Sequence, residues 1–275
     1  MLPTGSFKPR GALFALSAKM AGGTLKEVVA SSTGNHGAAV AWSAKTLGVP
    51  VTIFLPANPN PVKRANIARL GARIVEVGGD DLVHATAAAH EYAQQEGVYF
   101  LNDAIDETIV AGPATIGLEI LSQLPGVQAI YVPMGDSALI RGIGAAVKRL
   151  APVVKIIGVQ AERAPSYVLS WRAGRATPTD TCDTCADGLA TRVPQPDNVA
   201  AIRQLVDEVL LVSEDEMIAA VGRLYRDERV TAEPSGAAST AAFLKHGSAP
   251  GPAVLIVSGA NITPQLRQRA GLPAS

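Results

Sequence analysis

Strand-like and helix-like segments alternate along almost the whole of this 275-residue chain, and that alternation limits its fold more than any other feature. Val28-Val29-Ala30 reads as a strand followed by a helix over 35–47. Val51-Thr52-Ile53-Phe54-Leu55 reads as a buried strand ended by Pro56. A helix over 63–70 stops at Gly71, and Arg73-Ile74-Val75-Glu76-Val77 is the next strand. Asp80 or Asp81 can cap a helix in which Leu82, Ala85, Ala89 and Tyr92 share one face. The pattern continues with a helix over 115–124, a strand over 129–132, a helix over 138–150 and a strand over 155–159. It ends with a strand over 209–212, helices over 213–225 and 235–245, and a strand over 254–257. Parallel strands need long crossovers, usually helical, so the pattern predicts an α/β fold with mainly parallel sheets flanked by helices. No internal repeat is visible in the letters.

Residues 172–197 break the rhythm with Gly, Pro, Thr and Asp, and read as a long loop with a functional role. The loop holds Cys182 and Cys185, a pair without the second pair that a structural zinc site needs. The reading is two reduced thiols and no metal. Hydrophobic residues at 48% and charged ones at 17% describe a globular chain. With 24 basic against 24 acidic residues and 4% aromatics, nothing points to nucleic acid or a membrane surface as partner. No apolar run approaches the ~18 residues of a membrane span. The N-terminus lacks the residue order of a signal peptide, so a cytoplasmic address is expected.

Several places carry candidate chemistry. Lys8 lies in Thr4-Gly5-Ser6-Phe7-Lys8-Pro9-Arg10-Gly11; its amine needs burial or a cationic neighbour to become a nucleophile at neutral pH. Ser31-Ser32-Thr33-Gly34-Asn35-His36-Gly37 joins a strand to a helix and reads equally as an anion cradle or as an ordinary N-cap at Thr33 or Asn35. Met134-Gly135-Asp136-Ser137-Ala138 is a second cradle candidate, with a plain turn as the competing reading. Ser258 stands just past a buried strand, where ligands collect in open α/β sheets. His84 and His90 read as solvated helix residues, and His36 is open between packing and capping.

Nine stretches taken in order resemble one family: PTGSFKPRGA, SSTGNHGAAVA, PVKRANIARLGA, AGPATIGLEIL, VPMGDSALIRG, ADGLA, LVDEVLLVSEDEM, AEPSGAAS and VSGAN. Together they look like a fold type II pyridoxal-phosphate enzyme, tryptophan synthase beta-like in fold, of the serine/threonine dehydratase group. The resemblance covers residues 3–261. It implies a small lobe over 27–105 and a large cofactor-binding lobe made of 1–26 and 106–275. It further implies a homodimer acting on a small amino acid. Lys8 would carry the cofactor as an imine and later move the Cα proton. Phe7 would pack beside the ring and Asn35 would bond its phenolic oxygen. Ser32, Thr33, Gly34 and His36 would take the substrate carboxylate. Gly135, Asp136, Ser137 and Ala138 match the phosphate loop. Ser258 matches the residue facing the pyridine nitrogen, where a neutral hydroxyl favours β-elimination. The implied activity is dehydration and deamination of L-threonine or L-serine to 2-oxobutyrate or pyruvate plus ammonia.

The chain departs from the family pattern at four places. The phosphate loop usually has four glycines, and Asp136, Ser137 and Ala138 replace three of them; a carboxylate there repels a phosphate unless it turns away. Thr33 stands where related racemases carry a serine, and it is the second candidate catalytic residue. Pro113 stands where glutamine is common. Only seven residues precede Lys8, so the N-terminal part of the family fold is expected to be absent, and no regulatory extension is expected after Asn261. Alternatives on the same scaffold are threonine synthase-like replacement, racemisation and a relative without catalysis. A divalent cation near Asp183 and Asp187 is left open.

Overall fold

The structure is a computed structural model that describes residues 3–23, 25–57, 59, 61–79, 82–247 and 251–273. Asp80 and Asp81, read above as a helix cap, lie outside the described residues. The chain divides into two compact units, 1–112 and 113–275, each with its own four-stranded parallel sheet. Among the described residues no helix is long and apolar enough to cross a membrane.

In order, the first unit contains α1 (Lys8–Ala21), β1 (Glu27–Ser31), α2 (Asn35–Leu47), β2 (Val51–Pro56), α3 (Pro61–Arg69), β3 (Arg73–Val77), α4 (Leu82–Tyr92), β4 (Val98–Phe100) and a 3₁₀ turn over Glu107–Val110. Its strand order is β3-β2-β1-β4. All six residues of β2 are buried, as expected for a central strand covered on both faces. Ala85 and Ala89 seat α4 on Val29 and Phe54. Leu82 is exposed instead of completing that stripe, because the two alanines bring the helix close and leave its first turn outside. At the start of the strands, the buried Thr52 hydroxyl donates to Glu27 Oε1 at 2.5 Å and accepts from Arg73 Nε at 2.8 Å. The Tyr92 hydroxyl donates to Glu27 Oε2 at 3.0 Å. These bonds satisfy polar groups that burial would otherwise penalise, and pin the end of the sheet away from the loops described below.

The second unit starts within α5 (Ala111–Gln123) and continues with β5 (Ala129–Pro133), α6 (Ala138–Leu150), β6 (Lys155–Ala161), α7 (Ser166–Ala173), a 3₁₀ turn over Asp187–Leu189, α8 (Pro196–Leu205), β7 (Glu208–Val212), α9 (Glu214–Glu228), α10 (Pro234–His246), β8 (Ala253–Leu255) and α11 (Pro264–Arg269). The order is β7-β6-β5-β8. Ala237, Ala238, Ala241 and Ala242 let α10 approach a core that includes Tyr131, Ile157 and Val159, and the Ser239 hydroxyl donates to the Tyr131 carbonyl at 2.9 Å. A capping box of Ser213 and Glu216 starts α9.

The two sheets are wired alike. In each, three strands step outward and the fourth returns to the far side of the first, β4 beside β1 and β8 beside β5. Such a reversal of strand order opens a crevice at the carboxyl ends of the two strands that flank it, which is where ligands bind in open α/β sheets.

Candidate functional site

In the first unit the crevice between β1 and β4 is bordered by loop 32–34 and by the residues following Phe100. A Cβ on Gly37 would lie 2.5 Å from the Ser32 carbonyl oxygen, so glycine is what lets the first turn of α2 fold against the loop. The Gly34 N–H donates to Ser32 Oγ at 3.2 Å, and no side chain caps α2. The helix start keeps the character of an anion seat. Thr33 and Asn35 are half-buried beside it. His36 is buried, and its Nε2 donates to the Leu101 carbonyl at 2.9 Å, tying the start of α2 to the residue after β4. Because a carbonyl can only accept, Nε2 carries the hydrogen.

Two glycines bring Lys8 to the same crevice. A Cβ on Gly11 would lie 2.8 Å from the Ile109 carbonyl oxygen, and one on Gly112 would lie 2.3 Å from the Arg10 carbonyl carbon. The first turn of α1 therefore packs backbone to backbone on the segment after β4. Lys8 Nζ forms an ion pair with the Asp103 carboxylate, whose Oδ2 is 3.7 Å from His36 Nδ1. The side chains of Lys8, Asp103 and His36 are 22%, 14% and 7% exposed. Burial alone would raise the pKa of Asp103, but the charges of His36 and Lys8 and the Lys8 hydrogen bond hold it well below the usual carboxylate range. Lys8 Nζ also lies 5.4 Å from the centroid of the Phe7 ring. Sequence reasoning missed Asp103, since a lone aspartate between a short strand and a turn carries no spacing signal.

In the second unit the crevice between β5 and β8 is bordered by loop 134–137, which leads into α6. Ser137 has φ 70°, a left-handed conformation that a glycine adopts without cost. Its buried Oγ stands near Tyr167 yet makes no hydrogen bond of good geometry among the described residues. Ala138 is buried behind it. A Cβ on Gly135 would lie 2.1 Å from the Gly188 carbonyl oxygen. The long loop 172–197 thus has a definite part: its 3₁₀ turn seats on the glycine that opens the cradle. Asp136 Oδ1 accepts the Thr191 hydroxyl at 3.0 Å, and the Asp136 carbonyl accepts from Asn198 Nδ2 at 3.3 Å. One carboxylate oxygen is therefore engaged by Thr191.

Ser258 is placed differently from the sequence reading. The strand β8 ends at Leu255, not at Val257, and the Ile256 N–H extends the ladder with one bond of 3.1 Å to the Tyr131 carbonyl. Val257 is exposed, and half-buried Ser258 sits on the irregular segment beyond. The start of α10 holds that segment in place. The Glu233 N–H donates to the Gly259 carbonyl at 3.0 Å, and a Cβ on Gly236 would lie 2.3 Å from the same oxygen.

Other candidates fall away from these crevices. His84 and His90 are exposed on α4. Asp183 pairs with Arg163. Cys182 and Cys185 are free thiols packed against the apolar core of their unit. Burial, then its hydrogen bond with the Glu214 carboxylate, pushes the Cys185 thiol up to about 12. Among the described residues there is no group of three or more His, Cys, Asp or Glu side chains suited to a metal ion.

Each crevice thus has its own donor set. One offers a lysine amine beside a helix start without a side-chain cap, and the other a positive-φ cradle at the head of a 13-residue helix, with a buried hydroxyl that makes no hydrogen bond of good geometry among the described residues and a serine across the adjacent strand end. The amine of the first unit is of the kind that bonds an aldehyde, and the helix start of the second is of the kind that seats a phosphate.

Comparison with known proteins agrees. The family described as pyridoxal-phosphate dependent enzyme matches residues 1–259. The chain is 38% identical over 261 residues to an L-threonine ammonia-lyase of Geobacter sulfurreducens, which covers 94% of this chain and 65% of that relative's length. Among solved structures, threonine deaminase isoform 2 from Solanum lycopersicum superposes with a TM-score of 0.89 at 30% identity, covering 98% of this chain and 79% of the other. A maize serine racemase gives the same TM-score at 29% identity, covering 98% and 83%. With its sheets, its lysine and its anion seats in the family's order, the chain belongs to the pyridoxal-phosphate-dependent enzymes.

Proposed function

We propose that this protein dehydrates and deaminates L-threonine or L-serine, releasing 2-oxobutyrate or pyruvate plus ammonia. The observation that carries the reading is the placement of the Lys8 amine, through Asp103 and His36, at the same sheet crevice as the helix start built from Ser32, Thr33, Gly34 and Asn35. A base for a Cα proton and a seat for a carboxylate are what an α-amino acid substrate needs side by side.

In this reading the cofactor is held by Lys8, with Phe7 beside its ring, Asn35 at its phenolic oxygen, Gly135, Asp136, Ser137 and Ala138 at its phosphate, and Ser258 at its pyridine nitrogen. When bound, pyridoxal phosphate supplies an electron sink that weakens the Cα–H bond of the attached amino acid. The protein does the rest. Ser32, Thr33, Gly34 and His36 hold the substrate carboxylate and so orient the Cα–H bond. The Lys8 amine takes that proton as the β-hydroxyl leaves, and water hydrolyses the released enamine to the oxoacid and ammonia. Ser258, as a neutral hydroxyl, leaves the ring nitrogen unprotonated and favours elimination over transamination. Residues 27–105 serve as the small lobe, and 1–26 with 106–275 as the lobe that carries the cofactor, in a homodimer.

A second reading, racemisation, is supported by the similarity to a maize serine racemase, while Thr33 in place of the racemases' serine counts against it. Purified protein incubated with pyridoxal phosphate and L-threonine or L-serine is assayed for 2-oxoacid and, by chiral chromatography, for the D-enantiomer. Oxoacid release supports elimination. D-serine without oxoacid replaces it with racemisation, and neither product overturns both.

A further inference from the structure

Asp103 pairs with Lys8, and the family reading does not use it. It comes from the segment after β4, stands between the Lys8 ammonium and the His36 ring, and is 14% exposed. The first turns of α1 and α2 and the turn after β4 carry Lys8 and Arg10, His36, and Asp106 and Glu107 respectively. Of the two acids, Asp106 is engaged by the Tyr99 hydroxyl and by Thr108. Lys8 and His36 are the charges that act on Asp103. A carboxylate held this way stabilises the protonated form of the amine it touches.

We propose that Asp103 is a positioning residue for Lys8: in the cofactor-free protein it parks the amine as an ammonium in the crevice, and Lys8 must leave this ion pair before it can bond an aldehyde. The inference rests on Lys8 being the covalent lysine of the proposed function. The ammonium first gives one proton to water. The neutral nitrogen then bonds to the aldehyde carbon, and the carbonyl oxygen departs as water with the two remaining amine hydrogens. The ion pair therefore sets the pH at which cofactor capture becomes fast. It also keeps the amine aimed into the crevice instead of free in solvent.

The test uses the full chain without cofactor, as wild type, Asp103→Asn and Asp103→Glu. Lys8 and Lys19, an exposed lysine of the same helix, are labelled competitively with acetic anhydride across pH, and their peptides are quantified by mass. The midpoint for Lys8 should lie above that of Lys19 in the wild type, fall by about one pH unit or more in Asp103→Asn, and stay high in Asp103→Glu. The rate of pyridoxal phosphate capture near neutral pH, read by absorption and by borohydride trapping, should rise about tenfold in Asp103→Asn. A Lys8 midpoint at or below that of Lys19, or one that Asp103→Asn leaves in place, overturns the proposal. If Asp103→Asn does not fold, by circular dichroism, the Lys8–Lys19 comparison in the wild type and in Asp103→Glu decides. Should Lys8 label as expected while the trapped cofactor sits on another residue, the functional reading fails and the ion-pair assignment stands.

Discussion

A Cβ on Gly135 would stand 2.1 Å from the carbonyl oxygen of Gly188, so the cradle after β5 and the 3₁₀ turn of the long loop touch at van der Waals distance with no room between them. Gly135→Ala must displace one of the two. Overpacking of this kind costs about 1–3 kcal/mol. In a chain of this size that corresponds to a fall in Tm of roughly 2–4 °C per kcal/mol. Affinity for pyridoxal phosphate should drop at least tenfold, as read by titration of its absorption. Unchanged stability and affinity would show that the turn yields freely.

Lys8→Ala should abolish covalent cofactor attachment and oxoacid release while leaving the far-UV circular dichroism intact. The lysine is partly exposed and contributes to the ion pair, not to the apolar core. Retained turnover would remove Lys8 from the chemistry.

The Asp103 carboxyl is held below its ordinary pKa by His36 and Lys8, against the upward push of burial. A native value lower than the unfolded one stabilises the fold in full above the ordinary aspartate value, near ~4, and that contribution is lost as pH falls through the native value. The stability gap between the wild type and Asp103→Asn, from urea unfolding of the cofactor-free protein, should therefore be fully present near pH ~5 and narrow as pH falls further into acid. A gap that widens as pH falls has the wrong sign for this arrangement.

Ser137, at φ 70°, separates two substitutions sharply. Ser137→Gly relieves the left-handed backbone and should leave Tm unchanged or raise it. Ser137→Val places a β-branched side chain where such residues are outliers, at a cost of about 1–3 kcal/mol. Equal melting of the two variants would contradict the conformation.

Cys185 should resist alkylation at mildly alkaline pH, because burial and then Glu214 disfavour its thiolate. Glu214→Gln removes the charge that accepts from the Cys185 backbone N–H at 2.7 Å, and iodoacetamide labelling of Cys185 should rise several-fold by peptide mass. No change in labelling would leave burial as the sole cause.

What the letters revealed depended on how local the cause was. The helices α2 and α6 were legible with their observed bounds, since the apolar spacing that marks them lies within the segments themselves. By contrast, β4 was missed. Its three residues are too few for a period, and only pairing with β1, Glu27 opposite Val98, makes them a strand. The first helix was also hidden, because Pro9 and Gly11 read as loop residues; in place, Pro9 sits in the first turn, where its missing N–H costs nothing, and Gly11 is required by Ile109. Pro196 at the start of α8, ahead of Val199 and Ile202, was a usable signal that went unread. The candidate loops at 31–37 and 134–138 were found because anion seats have a local signature. Asp103 was not, because its meaning comes entirely from a lysine at the other end of its unit.

Because β4 and β8 are each the last strand of their sheet in chain order, the mouths beside them exist only once residues far apart in either half have been brought together. A vitamin-derived guest that occupies such a mouth rewards only the finished product and draws nascent chains toward it. The catalytic apparatus then doubles as an inspection point: what is incompletely assembled holds no guest, and what holds one is complete.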